Sequence, residues 1–239
     1  MSGHSHWAGI KHRKGINDAA RAKIFTKHGK LITIAARSGD GNPDTNFQLR
    51  LAIERARAAN MPKENIERSI KRGTGELKDA VEIQEVLYEA YGPGQVAMLI
   101  KTATDNKNRT LGELKTILTK AGGKMVPAGS VSYLFKLVGN IGLPVEKEAD
   151  IGALELQAIE AGAEDTIYSE NTLTLYTRPE GLQKTKESLE KDGLKIETAG
   201  LVWSPIQKMI LDEDSKLDYE KLLEMLDEQD DVQEIYDNL

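Results

Sequence analysis

The chain has 239 residues, about 39% of them hydrophobic and 29% charged, which suits a soluble globular protein of one large or several small domains. It has no cysteine, so a disulfide framework and thiolate metal sites are excluded, in keeping with a reducing cytosol and a cytoplasmic location. The net charge of −6 conceals a division: residues 1–75 hold fifteen Lys and Arg against six Asp and Glu, an excess of +9, and the rest of the chain carries −15. Such asymmetry points to a polyanionic partner for the basic part. The longest apolar runs, such as Val96–Ile100, are strand-sized and far short of a membrane span, so no membrane partner is expected. The N-terminus lacks the apolar segment of a secretory signal, and its basic start runs straight into helical sequence, which argues against a cleaved leader.

Met1 to Lys14 has no helical period and is interrupted by glycines; it reads as an extended basic arm, pinned by Trp7 and Ile10, with Lys11, His12, Arg13 and Lys14 in solvent. Asn17 or Asp18 can cap a helix to about Arg37, with Ala20, Ile24, Phe25, Leu31, Ile32 and Ala35 as its inner stripe and Arg21, Lys23, Lys27 and Lys30 on other positions. After the turn Ser38–Pro43, Asn46 starts a second helix, with Phe47, Leu51, Ala52, Ala56 and Ala59 inward and Arg50, Arg55 and Arg57 outward. Asn60-Met61 ends it. Pro62 opens a third helix that Gly73 stops. Alanine-rich contacts bring such helices close and leave little room for a ligand pocket.

Beyond a linker at 73–80 the period shifts from 3.6 to 2. Strands over 86–91 and 95–104 flank the turn Gly92-Pro93-Gly94, and a helix over 107–121 follows, capped by Asp105-Asn106. Residues 131–201 then read strand (131–138), helix (150–161), strand (164–169), strand (172–178), helix (179–191), strand (194–201), the ferredoxin-like order. Gly139, Gly142 and Pro144 read as a loop. A strand (206–211), a helix (216–228) and a strand (231–236) close the chain. Element counting therefore gives an α+β protein of three domains: an N-terminal helical bundle plus two ferredoxin-like α/β domains, one inserted in the other. The boundaries are 1–80 for arm and bundle, 81–130 plus 202–239 for a discontinuous domain, and 131–201 for the insert.

No catalytic constellation emerges. All four histidines lie in the first 28 residues, His4-x-His6 has no carboxylate cluster beside it, and neither metal nor cofactor is expected. Gly39-Asp40-Gly41 and Gly73-Thr74-Gly75 lack the context of a phosphate loop and read as turns. A non-enzymatic protein without a small-molecule substrate is expected. The basic head suits phosphate contacts, although such contacts carry no sequence information. At Thr104–Thr110 two readings stand side by side. Either Asp105 caps the helix and leaves Lys107 and Arg109 in solvent, or exposed amides with Lys107 and Arg109 receive an anion. The acidic stretch 202–239, with twelve acids against three bases, reads by default as a solubilising surface; the alternatives are that it limits how far a polyanion wraps or contacts the basic head internally.

Several blocks in order resemble the YebC/PmpR family over almost the whole chain: Gly3–Ala8, Ile10–Lys14, Lys23–Lys27, Ala35–Arg37, Arg57–Lys63 with Asn65-Ile66, Tyr88–Pro93, Thr104–Thr110 and Gly129–Val131. The chain departs from the family pattern at His6, where Lys or Arg is more usual, and at His28-Gly29, where a bulkier residue often follows Lys27. The resemblance implies three domains and a nucleic-acid role without chemistry. In one form that is a DNA-binding transcriptional regulator acting in transcription regulation at promoters. In the other it is a ribosome-associated translation factor binding rRNA or tRNA, like a mitochondrial relative that activates synthesis of a cytochrome oxidase subunit. The absence of an obvious Asn, Gln or Arg set for reading base edges suits the second form. The partner is thus nucleic acid, duplex DNA or ribosomal RNA, and in the second form the ribosome; a protein-interaction adaptor using the sheets is a further class. Candidate nucleic-acid contacts are His6, Trp7, Lys11, His12, Arg13, Lys14, Arg21, Lys23, Lys27, Arg50, Arg57, Lys63, Lys107 and Arg109.

Overall fold

The computed structural model describes residues 18–77, 81–146 and 149–239. Among them are seven α-helices and two four-stranded antiparallel sheets, an α+β architecture. The chain divides into two compact units. One is the continuous segment Phe135–Ile206; the other runs up to Leu134 and resumes at Gln207–Leu239, so the first interrupts the second.

The larger unit begins with α1 (Asp18–Ser38), α2 (Phe47–Ala58) and α3 (Lys63–Gly73). Asn46 caps α2 by accepting from Leu49 N at 3.0 Å, and its amide nitrogen reaches back to the Ala35 carbonyl at 2.9 Å, fixing the α1–α2 corner. Asn60, at φ +59°, takes the left-handed conformation that ends α2. The bundle core is Ile32, Ala36, Leu49, Ile53, Ala56, Met61 and Ile66. The expected inner stripe of α1 is displaced: Lys27, Ile32, Thr33 and Ala36 are buried, and Ile24, Phe25, Leu31 and Ala35 only partly so. Helix α1 is enclosed by more than the bundle, so its buried face is wider than a single apolar stripe predicts. Gly73 serves close approach: a Cβ there would strike the Thr33 carbonyl and the Ala36 methyl of α1.

The same unit continues with β1 (Gln84–Tyr91), β2 (Ala97–Thr104), α4 (Lys107–Lys120) and the short β3 (Lys124–Val126). After residue 206 it adds α7 (Glu213–Asp227) and β8 (Val232–Asp237). Its sheet has the order β3-β1-β2-β8, antiparallel throughout. Gly94, at φ +68°, makes the β1–β2 turn, and a side chain there would collide with Leu211. Helices α4 and α7 bury Leu114, Leu118, Tyr219, Leu222, Leu223 and Leu226 against Met98, Ile100 and Ile235. The expected strand over 206–211 is absent. Residues 208–212 form neither helix nor strand, although Met209 N donates to Asn238 O at 2.7 Å, and the fourth strand of the sheet is instead β3 on the far side of β1, too short to announce itself by alternation.

The second unit comprises β4 (Phe135–Pro144), α5 (Ile151–Ala161), β5 (Asp165–Ser169), β6 (Thr172–Thr177), α6 (Leu182–Lys191) and β7 (Thr198–Pro205). Its β-α-β-β-α-β order and sheet order β5-β6-β4-β7 are ferredoxin-like. The strand expected over 131–138 begins four residues later, and 132–134 form a 3-10 turn instead. The cause is Glu89: its buried carboxylate accepts from Gly129 N (2.7 Å), Val131 N (2.6 Å) and Ser132 N (3.1 Å), drawing those amides away from any strand ladder. Gly139 and Gly142, expected in a loop, sit inside β4. A Cβ at either would overlap Thr177 or Thr198 of the neighbouring strands, so glycine here marks close strand packing.

Candidate nucleic-acid interface

The expected arm contacts His6, Trp7, Lys11, His12, Arg13 and Lys14 lie outside the described residues. The remaining candidates fall into two groups that the sequence did not separate.

The first group faces the α/β body. Lys27 is buried; its Nζ donates to the Asp227 carbonyl at 3.0 Å and lies 3.2 Å from Asp227 Oδ1. Lys23 donates to the Glu228 carbonyl and stands 3.6 Å from Asp230. Lys30, not among the candidates, donates to Asp230 O at 3.1 Å and Asp231 Oδ1 at 2.5 Å. Three lysines spaced four and three apart thus occupy the carbonyls that α7 and the following turn leave without intrahelical partners. Arg55 of α2 adds a contact to Glu234 of β8 at 3.4 Å. Of the readings of the acidic C-terminal stretch, the contact with the basic head is realised.

Asp231 is the hub of this region, with 3% of its surface exposed. Beyond Lys30, Arg109 of α4 donates to its Oδ2 at 3.0 Å and the Thr110 hydroxyl at 2.7 Å. Burial pushes the carboxyl toward protonation, but the hydrogen bonds from Lys30, Thr110 and Arg109 outweigh it and hold the group well below the ordinary carboxylate range. Arg109 also donates to Asp105 at 2.8 Å. Asn106, with its side chain accepting from Arg109 N at 3.1 Å, is the α4 cap. Residues 104–110 therefore depart from the earlier readings at two positions: Asp105 pairs instead of capping, and Arg109 is bound to two carboxylates, of which Asp231 holds it most firmly in its charged form. Lys107 is exposed.

The second group faces solvent. Arg57 at the end of α2 is exposed, Lys63 opens α3 beside Glu67 at 3.7 Å, and Lys71 and Arg72 are exposed in the last turn of α3. Arg68 lies on the same helix, donating to Asn65 Oδ1 at 2.9 Å. Arg50 stacks over Phe47 at 5.5 Å, and Arg21 is exposed on the first turn of α1. Arg68, Lys71 and Arg72, exposed on the same helix, are not among the expected contacts because no base-reading or phosphate motif marks them; the Lys71-Arg72 doublet is the signal the sequence offers. Between α1 and α3 on one side and the α4 start and α7–β8 turn on the other lies a cleft of about 1000 Å³, lined by Lys30, Arg68, Arg72, Arg109 and by Asp105, Glu113, Asp230 and Asp231. Among the described residues no His, Cys, Asp or Glu cluster could hold a metal ion, and no helix is long and apolar enough to cross a membrane.

A basic helical bundle joined to an interrupted α/β body, with some cations set against acids and others exposed at the surface, defines a multidomain α+β protein built around charge. Residues 5–76 match the TACO1/YebC N-terminal domain and residues 83–239 the TACO1/YebC second and third domain, and the chain belongs to that family. It is 49% identical to a protein of Thermotoga petrophila (all of this chain, 93% of that one) and 48% identical to one of Aquifex aeolicus (all of this chain, 95% of that one). Both are named probable transcriptional regulatory protein. A crystal structure of a conserved hypothetical protein from Aquifex aeolicus superposes with a TM-score of 0.88 at 48% identity, covering 98% of this chain and 96% of that one.

Proposed function

We propose that this protein is a non-enzymatic, cytoplasmic regulator of gene expression that binds duplex DNA through its basic N-terminal part. The carrying observation is the segregation of charge: an excess of nine positive charges in the first 75 residues of a chain whose net charge is −6. The names of its relatives support a regulatory role. In this reading residues 1–80 form the binding domain, 81–130 with 202–239 and 131–201 the two α/β domains. The arm residues Lys11, Arg13 and Lys14, with Arg57, Lys63 and Lys107, meet phosphates. Neutralising Lys11, Arg13 and Lys14 together lowers duplex affinity and reduces the salt slope by about 2 to 3 units; an unchanged slope removes the arm from the binding site.

A second reading has the same surface bind rRNA or tRNA on the ribosome. It is favoured by the character of α3, whose exposed residues are Lys, Arg and Glu with no Gln or Asn pair set to read a base edge. Co-sedimentation with ribosomes at near-physiological salt, beside a duplex DNA titration at matched phosphate concentration, decides between them. Pelleting with ribosomes after the DNA complex has dissolved establishes the translation factor; retention of duplex alone establishes the transcriptional one.

A further inference from the structure

The lysines of α1 that suit a phosphate backbone are already occupied by acids of the same chain. Lys23, Lys27 and Lys30 span seven residues of one helix, about 10 Å. Three successive phosphate-to-phosphate steps of one strand rise through a similar distance, at about 3.4 Å each. What they meet instead is the α7–β8 turn: the carboxylates of Asp227, Asp230 and Asp231 and the carbonyls of Asp227, Glu228 and Asp230. The arrangement is polarised: the three lysines all lie on α1, and their acceptors lie at the last residue of α7 and on the turn that follows it. Asp230 is the exposed member, its side chain 73% accessible, and the adjoining cleft opens onto it and onto Lys30.

We propose that Lys23, Lys27 and Lys30 form a polyanion-binding row and that the acidic α7–β8 turn occupies it as an internal phosphate surrogate, yielding to a nucleic-acid backbone. This rests on the nucleic-acid reading above and adds its regulation: affinity is set by competition between the turn and the phosphates. A turn of negative charge on the row lowers non-specific affinity, so that only a backbone with enough additional contacts displaces it. Buried Asp231, tied to Arg109 and Thr110, stays anchored when Asp227 and Asp230 release, because it has partners independent of the row.

The test uses the full chain and Asp227→Asn/Asp230→Asn, which weakens the surrogate while leaving its carbonyls and Asp231 in place. The probes are a fluorescein-labelled 20-base-pair duplex and an RNA hairpin of equal phosphate content, titrated between 50 and 200 mM salt. The variant binds about threefold to tenfold more tightly, with a salt slope steeper by about 1 to 2 units. Adding Lys23→Ala and Lys27→Ala abolishes the gain. Hydrogen exchange of the 228–230 amides speeds up when nucleic acid binds the unaltered protein. A folded variant with unchanged affinity and slope, or exchange at 228–230 that does not respond to bound nucleic acid, overturns the competition and leaves the nucleic-acid reading standing. If neither protein retains either probe at 50 mM salt, that reading fails too.

Discussion

Lys30 Nζ and Asp231 Oδ1 lie 2.5 Å apart although 201 positions separate them in the chain. The pair joins the first helix of the bundle to the entrance of the last strand, and Arg109 converts it into a three-element junction. A carboxylate buried with three donors is costly to disturb, since removing its charge leaves those donors imperfectly matched. Asp231→Asn destabilises the folded chain by about 3 kcal/mol, read as a lower urea midpoint at unchanged m-value.

The same junction gives a pH signature. The Asp231 carboxyl titrates far below an exposed aspartate, whose ordinary value is about 3.9. Its contribution is therefore complete above that value and fades as pH falls toward the folded-state one. Between pH 5 and pH 2.5 the unaltered protein loses more stability than Asp231→Asn, and the gap between their urea midpoints narrows. A constant gap assigns the stabilisation to packing instead of charge.

Lys107 and Arg109 separate under substitution. Lys107→Ala, at an exposed position, changes stability by less than about 0.5 kcal/mol. Arg109→Ala removes one partner of buried Asp231 and costs about 2 kcal/mol. Thermal unfolding of the two single variants measures the difference; equal Tm values would deny the Arg109–Asp231 contact a structural part.

Glu89 fixes the segment from which the second unit departs. Burial pushes its carboxyl up, yet three backbone N–H donors hold it lower than an ordinary glutamate. Glu89→Ala leaves the Gly129, Val131 and Ser132 amides without their acceptor, at a cost of about 2 kcal/mol. Amide exchange at these three positions accelerates in the variant before that of the β2 amides does.

On the outer surface, Lys71→Ala/Arg72→Ala leaves Tm unchanged, since neither side chain is buried. It lowers nucleic-acid affinity and reduces the salt slope by about 2 units. A salt slope equal to that of the unaltered protein would exclude the end of α3 from the interface.

The α+β class and most element positions were legible in the sequence because local signals specify them: the Asn46 and Asn106 caps, the Gly92–Gly94 turn, and the change of period after residue 80. The errors share a cause. Val131–Leu134 looked like a strand until Glu89, forty residues earlier, took its amides; Gly139 and Gly142 looked like a loop because only neighbouring strands explain the missing side chains. Charge behaved likewise. The sequence by itself determined that cations gather in the first third of the chain and acids in the last, a property of composition. Only the tertiary structure decided which cations those acids neutralise, because Coulomb attraction depends on distance. Folding sets Lys23, Lys27 and Lys30 against a turn some 200 residues away while leaving Lys71 and Arg72 in water.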